Sequence, residues 1–208
     1  MKRFKTEQEE FWAGEFGNTY IDRNNDSQII AGNVNLFSKI LSRTNSVKST
    51  TEFGANIGLN LIAIKQLLPN CIFSAVEINE TACKELKKND WLNTFNESIL
   101  SFDCKEKYDF VFSKGVLIHI NPDELQIVYK KLYDSSRKYI LIIEYYNPSP
   151  VEINYRGHGG KLFKRDFAGE MLKLYPTLEL IDYGFSYHLD PNFPQDDLNW
   201  FLLKKKGA

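Results

Sequence analysis

The sequence predicts an α/β protein: a doubly wound sheet of seven strands, helices between the first five, and a helical cap at the N-terminus. Three observations carry this. Apolar runs of strand length alternate with helical patterns; a glycine turn, Gly54 to Gly58, separates the first run from the helix after it; and an acid, Glu77, closes the second run. With 208 residues, 43% of them hydrophobic, the chain can build one sizeable core. A single domain over 1–208 is expected, with the cap at 1–45, the core at 46–208 and an insertion at about 145–163.

Thr6 and Glu9 form a capping box, and Glu7, Glu9 and Glu10 suit a helix N-terminus, so a first helix is expected to run to about Phe16. It presents Phe11, Trp12 and Phe16; Gly14 and Gly17 weaken and end it, and Tyr20 to Asn24 read as a loop. Trp12 and Tyr20 are core aromatics or the roof of a ligand site. Ile29 to Leu41 is a second helical pattern, followed by a polar loop, Ser42 to Ser49.

The first strand, Thr50 to Phe53, follows polar residues where a central parallel strand ordinarily reads as continuous Val, Ile and Leu. The next helix, carrying Leu59 and Ile62, stops at Pro69. Cys71 to Val76 is the second strand, Asn79 caps a helix through Lys88, and Leu92 to Asn96 is the third strand, leading into Ser98 and Ile99. Tyr108 to Phe112 is the fourth, ending at Lys114. Asn121-Pro122-Asp123-Glu124 starts a helix whose face is Leu125, Val128, Tyr129 and Leu132. Tyr139 to Ile143 is the fifth strand. Tyr145 to Phe163 is irregular, Asp166 to Tyr175 helical, and Leu178 to Tyr183 and Trp200 to Leu203 are the last two strands.

The glycine turn and the acid together have the layout of a Rossmann-type nucleoside site. Glu77 falls 23 positions after Gly54, near the offset at which such a unit places an acid on ribose hydroxyls. Gly54 lets the backbone leave the strand sharply, and Gly58 allows close helix packing. Asn56 stands where a dinucleotide fingerprint wants its middle glycine; it tolerates left-handed backbone but crowds the place of a pyrophosphate. A cofactor without phosphates is favoured, and S-adenosyl-L-methionine (SAM) satisfies this. The plain alternative, a loop that merely turns a βα unit, explains the glycines but not Glu77.

A net charge of −1 and pI near 6.3 do not suggest a nucleic-acid partner. Cys71, Cys83 and Cys104 form no CxxC, so reduced thiols in a cytoplasmic protein are expected, with no metal site. No run approaches a membrane span, and the N-terminus has no apolar core of signal-peptide length.

In its EFGANIG, VEIN and YDFVFSKGVLIHI segments the chain resembles class I SAM-dependent methyltransferases. Through EQEEFWAGEFG, LIHINPDEL, EYYNPSPVEINYRGH, LFKRDFAGEML and DPNFPQDDLNWFLL it is similar, over nearly its whole length, to the pseudaminic acid biosynthesis-associated methylases. The resemblance implies a Rossmann-like seven-stranded sheet with an antiparallel last strand, SAM as cofactor, and a small acceptor from nonulosonic sugar chemistry. It also implies that Glu52, Gly54, Asn56 and Gly58 line the methionine and ribose side, and that Glu77 binds the ribose. Ser98 and Ile99 would lie at the adenine edge, and the main-chain carbonyl of Lys114 would receive the methionine ammonium. Ser98 departs from an acid at its position, which leaves the Ile99 backbone as the surer contact.

Methyl transfer is an in-line displacement, and placing the acceptor opposite the sulfur can supply on the order of 7–11 kcal/mol. A hydroxyl acceptor must also lose a proton. His119, five residues beyond Lys114, or His158, in the insertion, is the candidate base. Arg156, Lys161, Lys164 and Arg165 gather cations that could clamp a carboxylate, with Arg156 preferred, and Tyr145 is a further candidate acceptor contact. A nicotinamide oxidoreductase or epimerase, and a cofactor-binding protein without catalysis, are the rival classes.

Overall fold

A computed structural model describes residues 4–23 and 27–208. Among them nine strands form: β1 (Ser49–Phe53), β2 (Ile72–Glu77), β3 (Leu92–Asn96), β4 (Tyr108–Lys114), β5 (Ser136–Glu144), β6 (Val151–Tyr155), β7 (His158–Lys164), β8 (Leu178–Phe185) and β9 (Asn199–Lys205). Seven join in one sheet of order β3-β2-β1-β4-β5-β9-β8, while β6 and β7 pair only with each other. β1 to β5 are parallel, and β9 runs antiparallel to both of its neighbours. The expected seven-stranded sheet and its terminal hairpin are therefore present.

The helices are α1 (Glu7–Ala13), α2 (Glu15–Arg23), α3 (Ser27–Leu41), α4 (Leu59–Leu67), α5 (Glu80–Leu86), α6 (Leu125–Ser135) and α7 (Phe167–Leu174). Strand alternation divides the core into two layers. Phe110 and Phe112 of β4 and Leu141 and Ile143 of β5 face α3 to α5, joining Phe37, Ile40, Leu61 and Ile64. Val111, Ile140 and Ile142 face the other way, onto Tyr129, Leu132 and Met171 of α6 and α7. β1 lies between β2 and β4, so crossovers leave it in opposite directions and open a crevice at the carboxyl ends of the strands.

The polar first strand has a physical explanation. Its entry is matched by β4: Lys48 N–H donates to Asp109 Oδ2 (2.9 Å), and Asp109 N–H to Ser49 Oγ (3.0 Å). Thr50 and Thr51 are fully buried, their β-branched side chains suiting the pleat, and Glu52 is held by a side chain from α4.

Three expectations are corrected. No helix separates β3 from β4, which residues 97–107 join as a loop. The stretch Tyr20 to Arg23 is helical, not a loop; Asn24 lies outside the described residues. Gly14 interrupts the helix only briefly. Gly17 sits inside α2 for a steric reason, because a Cβ there would lie 1.9 Å from Trp12 O and 2.8 Å from Asn79 Nδ2. The irregular insertion is a hairpin. Tyr155 pairs with His158 across Arg156 and Gly157, whose φ values of 52° and 87° make the two left-handed positions of a type I′ turn. Arg in place of the usual Asn hides that turn in the sequence.

Candidate cofactor and acceptor site

A cavity of about 680 Å³ opens at the carboxyl ends of β1 to β4, roofed by α1 and α2 and walled by the β6–β7 hairpin and the β8–β9 loop. Its first compartment is built by the glycine turn. Gly54 (φ 76°) and Asn56 (φ 47°) both take left-handed backbone, and Gly54 N–H donates to Val76 O (2.8 Å), folding the turn against β2. This brings Asn56 N–H to Glu77 Oε2 (2.7 Å), while Asn79 N–H reaches Oε1 (2.8 Å). Burial raises the pKa of Glu77, and the N–H groups of Asn79, Asn56 and Ile78 oppose that rise. The two oxygens offer about four lone-pair positions in all, so the carboxylate can still accept from another donor.

Next along the edge, the Ser98 hydroxyl donates to Glu9 Oε1 of α1 and accepts from Leu100 N–H (3.0 Å). Ser98, Ile99 and Leu100 line the cavity, as do Gly54, Asn56 and Glu77. Glu52 and Gly58 do not line it. Gly58 lies behind the turn, and a Cβ there would sit 2.7 Å from a methyl of Leu86, so it sets the approach of α4 to α5.

Glu52 is wholly buried, and its Oε1 accepts from Asn60 Nδ2 (2.6 Å). Lys114 Nζ donates to Asn33 Oδ1 (2.6 Å) and lies 3.5 Å from Asn60 Oδ1; Gln195 Nε2 also donates to Asn33 (3.1 Å). Burial pushes Glu52 up to about 8 and Lys114 down to about 8, each opposed by the charge of the other. Lys114 thus brings a side-chain ammonium, beyond the main-chain carbonyl expected of it, to the cavity wall.

A second compartment centres on His119. Glu144, at the end of β5, accepts from Val116 N–H (3.0 Å) and Leu117 N–H (2.9 Å) and so fixes the 3-10 turn Leu117–His119. Burial pushes Glu144 up to about 7. His119 lines the cavity with Trp12 (ring centroids 4.5 Å apart) and Tyr155 (4.9 Å) against it. Its Nδ1 is 2.6 Å from the Lys161 carbonyl. A carbonyl only accepts, so Nδ1 carries the proton and Nε2 holds the lone pair. Burial pushes His119 down to about 4, leaving it neutral near pH 7. Three buried polar atoms of the wall, Gln8 Oε1, Trp12 Nε1 and Gln195 Oε1, have no protein partner.

The remaining sequence candidates separate cleanly. Tyr20, Tyr145 and Arg156 line the cavity. His158 does not; it lies exposed on the hairpin, packed on Phe11 (5.1 Å) and Phe16 (5.8 Å). Of the four cations, Lys161 pairs with Glu7 (2.8 Å), Arg165 pairs with Glu170 (2.6 Å) and Lys164 sits over the Tyr145 ring (4.8 Å), so Arg156 alone among them lines the cavity.

Asn33, Asn60, Gln195, Tyr155 and His188 also line it, and sequence reasoning did not select them. His188 is held through Nδ1 by Asp197 (2.8 Å). Asn33 meets Gln195 across 162 positions, a pairing that no local spacing announces. Among the described residues no group of three or more His, Cys, Asp or Glu could hold a metal ion, and no helix is long and apolar enough to cross a membrane.

No protein-family model and no curated protein matches the sequence. Solved structures do match in fold. The plantazolicin methyltransferase BpumL in complex with S-adenosylhomocysteine (SAH) superposes with a TM-score of 0.66 at 15% identity, covering 95% of this chain and 93% of that one. The magnesium protoporphyrin IX methyltransferase ChlM from Synechocystis, with bound SAH, gives 0.67 at 11% identity, covering 95% and 97%. A SAM-dependent methyltransferase from Clostridium acetobutylicum gives 0.61 at 12% identity, covering 92% and 98%. The chain has the Rossmann-like fold of class I methyltransferases.

Proposed function

We propose that the protein is a SAM-dependent methyltransferase whose acceptor is a small sugar of the nonulosonic, pseudaminic type or its precursor. The observation that carries the cofactor reading is the junction of Asn56 and Glu77. The turn's own N–H anchors a buried carboxylate, whose spare lone pairs face a cavity at the sheet's switch point, where vicinal ribose hydroxyls can donate to them. The left-handed Asn56 lines that cavity where a dinucleotide would need room for its diphosphate. Several proteins sharing the fold were crystallised with SAM or SAH, which supports the same reading.

Bound SAM supplies a methyl group on a sulfonium that is already a good leaving group. The protein's own part is to hold and to exclude. Glu77 holds the ribose, Ile99 lies along the base, and Lys114 with Asn33 and Gln195 offers both a cation and acceptors to the amino-acid end. Trp12, Tyr20, Tyr145 and Tyr155 keep water from the acceptor. His119 Nε2 takes the proton of an acceptor hydroxyl.

The neighbours named for plantazolicin and magnesium protoporphyrin show that this fold does not choose the acceptor. The sugar assignment is supported by the sequence resemblance and by Arg156, a guanidinium at the cavity suited to a sugar carboxylate. Cap and core work as one domain in this reading, and three unpaired thiols fit a cytoplasmic setting. Calorimetric titration should show binding of SAH and none of NAD; the reverse would discard the cofactor. Labelled methyl transfer into nonulosonic sugars, free and nucleotide-linked, tests the acceptor, and incorporation only into unrelated small molecules would refute it.

A further inference from the structure

We propose that Glu9 of the N-terminal cap accepts a hydrogen bond from the exocyclic amine of the cofactor's base, so that the cap itself selects adenine. The inference rests on the cofactor reading above and adds the residue that discriminates the base.

A nucleoside whose ribose sits at Glu77, the end of β2, extends its base toward the adjacent strand β3, about 4.8 Å further along the sheet edge. Ser98, Ile99 and Leu100 line the cavity there. The β3 loop offers no carboxylate to the base: Glu97 and Asp103 are exposed and do not line the cavity, and the Ser98 proton is committed to Glu9. Glu9 fills that gap from 89 positions away. It is 8% exposed and lines the cavity. Its Oε2 is saturated by Lys5 N–H and Thr6 N–H, both at 2.8 Å, and by the Thr6 hydroxyl at 3.3 Å. Among the described residues its Oε1 takes only the Ser98 hydroxyl, which leaves a lone pair.

A carboxylate accepts and never donates, so its partner must bring a donor hydrogen, which adenine's amine does and a base bearing a carbonyl at that position does not. Capping alone does not require this arrangement, since a capping box works with Gln as well and needs no burial. Desolvating a carboxylate is costly, and a ligand N–H would offset that cost. α1 is also held still: Gln8 Nε2 donates to Gly160 O (2.8 Å), Asn79 Nδ2 to Trp12 O (3.1 Å), and Lys5 pairs with Glu124 (2.6 Å).

The test compares S-adenosyl-L-homocysteine with S-inosyl-L-homocysteine, in which a carbonyl oxygen replaces the amine, by calorimetric titration of the wild type and Glu9→Gln. The wild type should prefer the adenosyl compound by about tenfold to hundredfold. Glu9→Gln keeps the capping box but presents an N–H to the base, so the preference should collapse to within about threefold or invert. A variant that keeps the wild-type preference overturns the proposal. If the variant does not fold, the wild-type ratio decides, and a preference under about threefold overturns it. Normal binding of the adenosyl compound without discrimination removes only Glu9's role; binding of neither removes the cofactor reading as well.

Discussion

Nδ1 of His119 donates to the main-chain carbonyl of Lys161 across 2.6 Å, tying the turn after β4 to strand β7 of the hairpin. One bond therefore both fixes the imidazole tautomer and holds a wall of the compartment around His119.

The first expected outcome concerns stability and pH. Burial holds His119 at about 4 in the folded protein, against 6.5 for the free side chain. Between those values the unfolded chain binds the proton and the folded chain does not. This contribution to stability is fully present above about pH 6.5 and is lost as pH falls toward 4. His119→Asn, whose amide can still donate to the Lys161 carbonyl, should flatten the acid limb of a plot of unfolding free energy against pH. An unchanged limb would show that other groups set it.

The second concerns turnover. If Nε2 of His119 is the base, His119→Ala should lower methyl transfer to a hydroxyl acceptor by about 10²–10⁴-fold while SAH affinity changes little. His158→Ala should leave the rate near that of the wild type, because His158 packs outside the cavity on Phe11 and Phe16. Rates near normal for both variants would leave acceleration to positioning alone.

The third concerns Glu52 and Lys114, two buried ionisable groups that both contact Asn60. Deleting one member of a buried pair ordinarily costs about 3–5 kcal/mol, since a bare charge is left behind. Burial pushes Glu52 up to about 8 even with Lys114 beside it, so near pH 7 it is already largely protonated and loss of Lys114 leaves no bare carboxylate behind. Lys114→Met should therefore cost only about 1–3 kcal/mol in chemical denaturation. It should still weaken SAH binding at least about tenfold by removing the cation from the cavity wall. A larger loss of stability with intact binding would make Lys114 structural.

The sheet was legible in the sequence because its signals are local. Apolar runs ending at Val76, Phe112 and Ile143 needed no knowledge of their neighbours, and Gly54, Asn56 and Glu77 stand at offsets set by one βαβ unit. Strand β1 passed as polar because what buries it comes from elsewhere: Asp109 receives its entry, and Asn60 binds Glu52. The β6–β7 hairpin escaped notice because Arg156 occupies a left-handed position usually marked by Asn or Gly. Glu9 and Gln195 belong to the site only through folding. One reads locally as a capping residue and the other as a loop amide, and their partners Ser98 and Asn33 lie 89 and 162 positions away.

The fourth expected outcome tests the attachment of the cap. A Cβ at Gly17 would lie 1.9 Å from Trp12 O, the carbonyl that accepts from Asn79 Nδ2, and 2.8 Å from that nitrogen. Gly17→Ala must push α2 away from Trp12 of α1 and from Asn79, whose N–H holds Glu77. Overpacking of this kind costs about 1–3 kcal/mol. Because the displaced element roofs the cavity, SAH affinity should fall together with the unfolding free energy. Full affinity in a destabilised Gly17→Ala protein would mean that the cap plays no part in holding the cofactor.

The last separates backbone from charge at the hairpin tip. Arg156 has φ 52° and is followed by Gly157 at φ 87°, and its guanidinium lies 5.8 Å from the Tyr155 ring centroid. Replacing it with alanine would remove the cation but leave another side chain ill suited to left-handed backbone, confounding the two effects. Arg156→Asn avoids this, because Asn-Gly is the favoured pair for a type I′ turn. The variant should fold at least as stably as the wild type. If the guanidinium binds an acceptor carboxylate, KM for an acidic sugar should rise about tenfold or more, since charge-assisted hydrogen bonds are lost, with kcat nearly unchanged. KM for the corresponding neutral sugar should not move. Equal rises for acidic and neutral acceptors would assign Arg156 to the shape of the cavity rather than to recognition of charge.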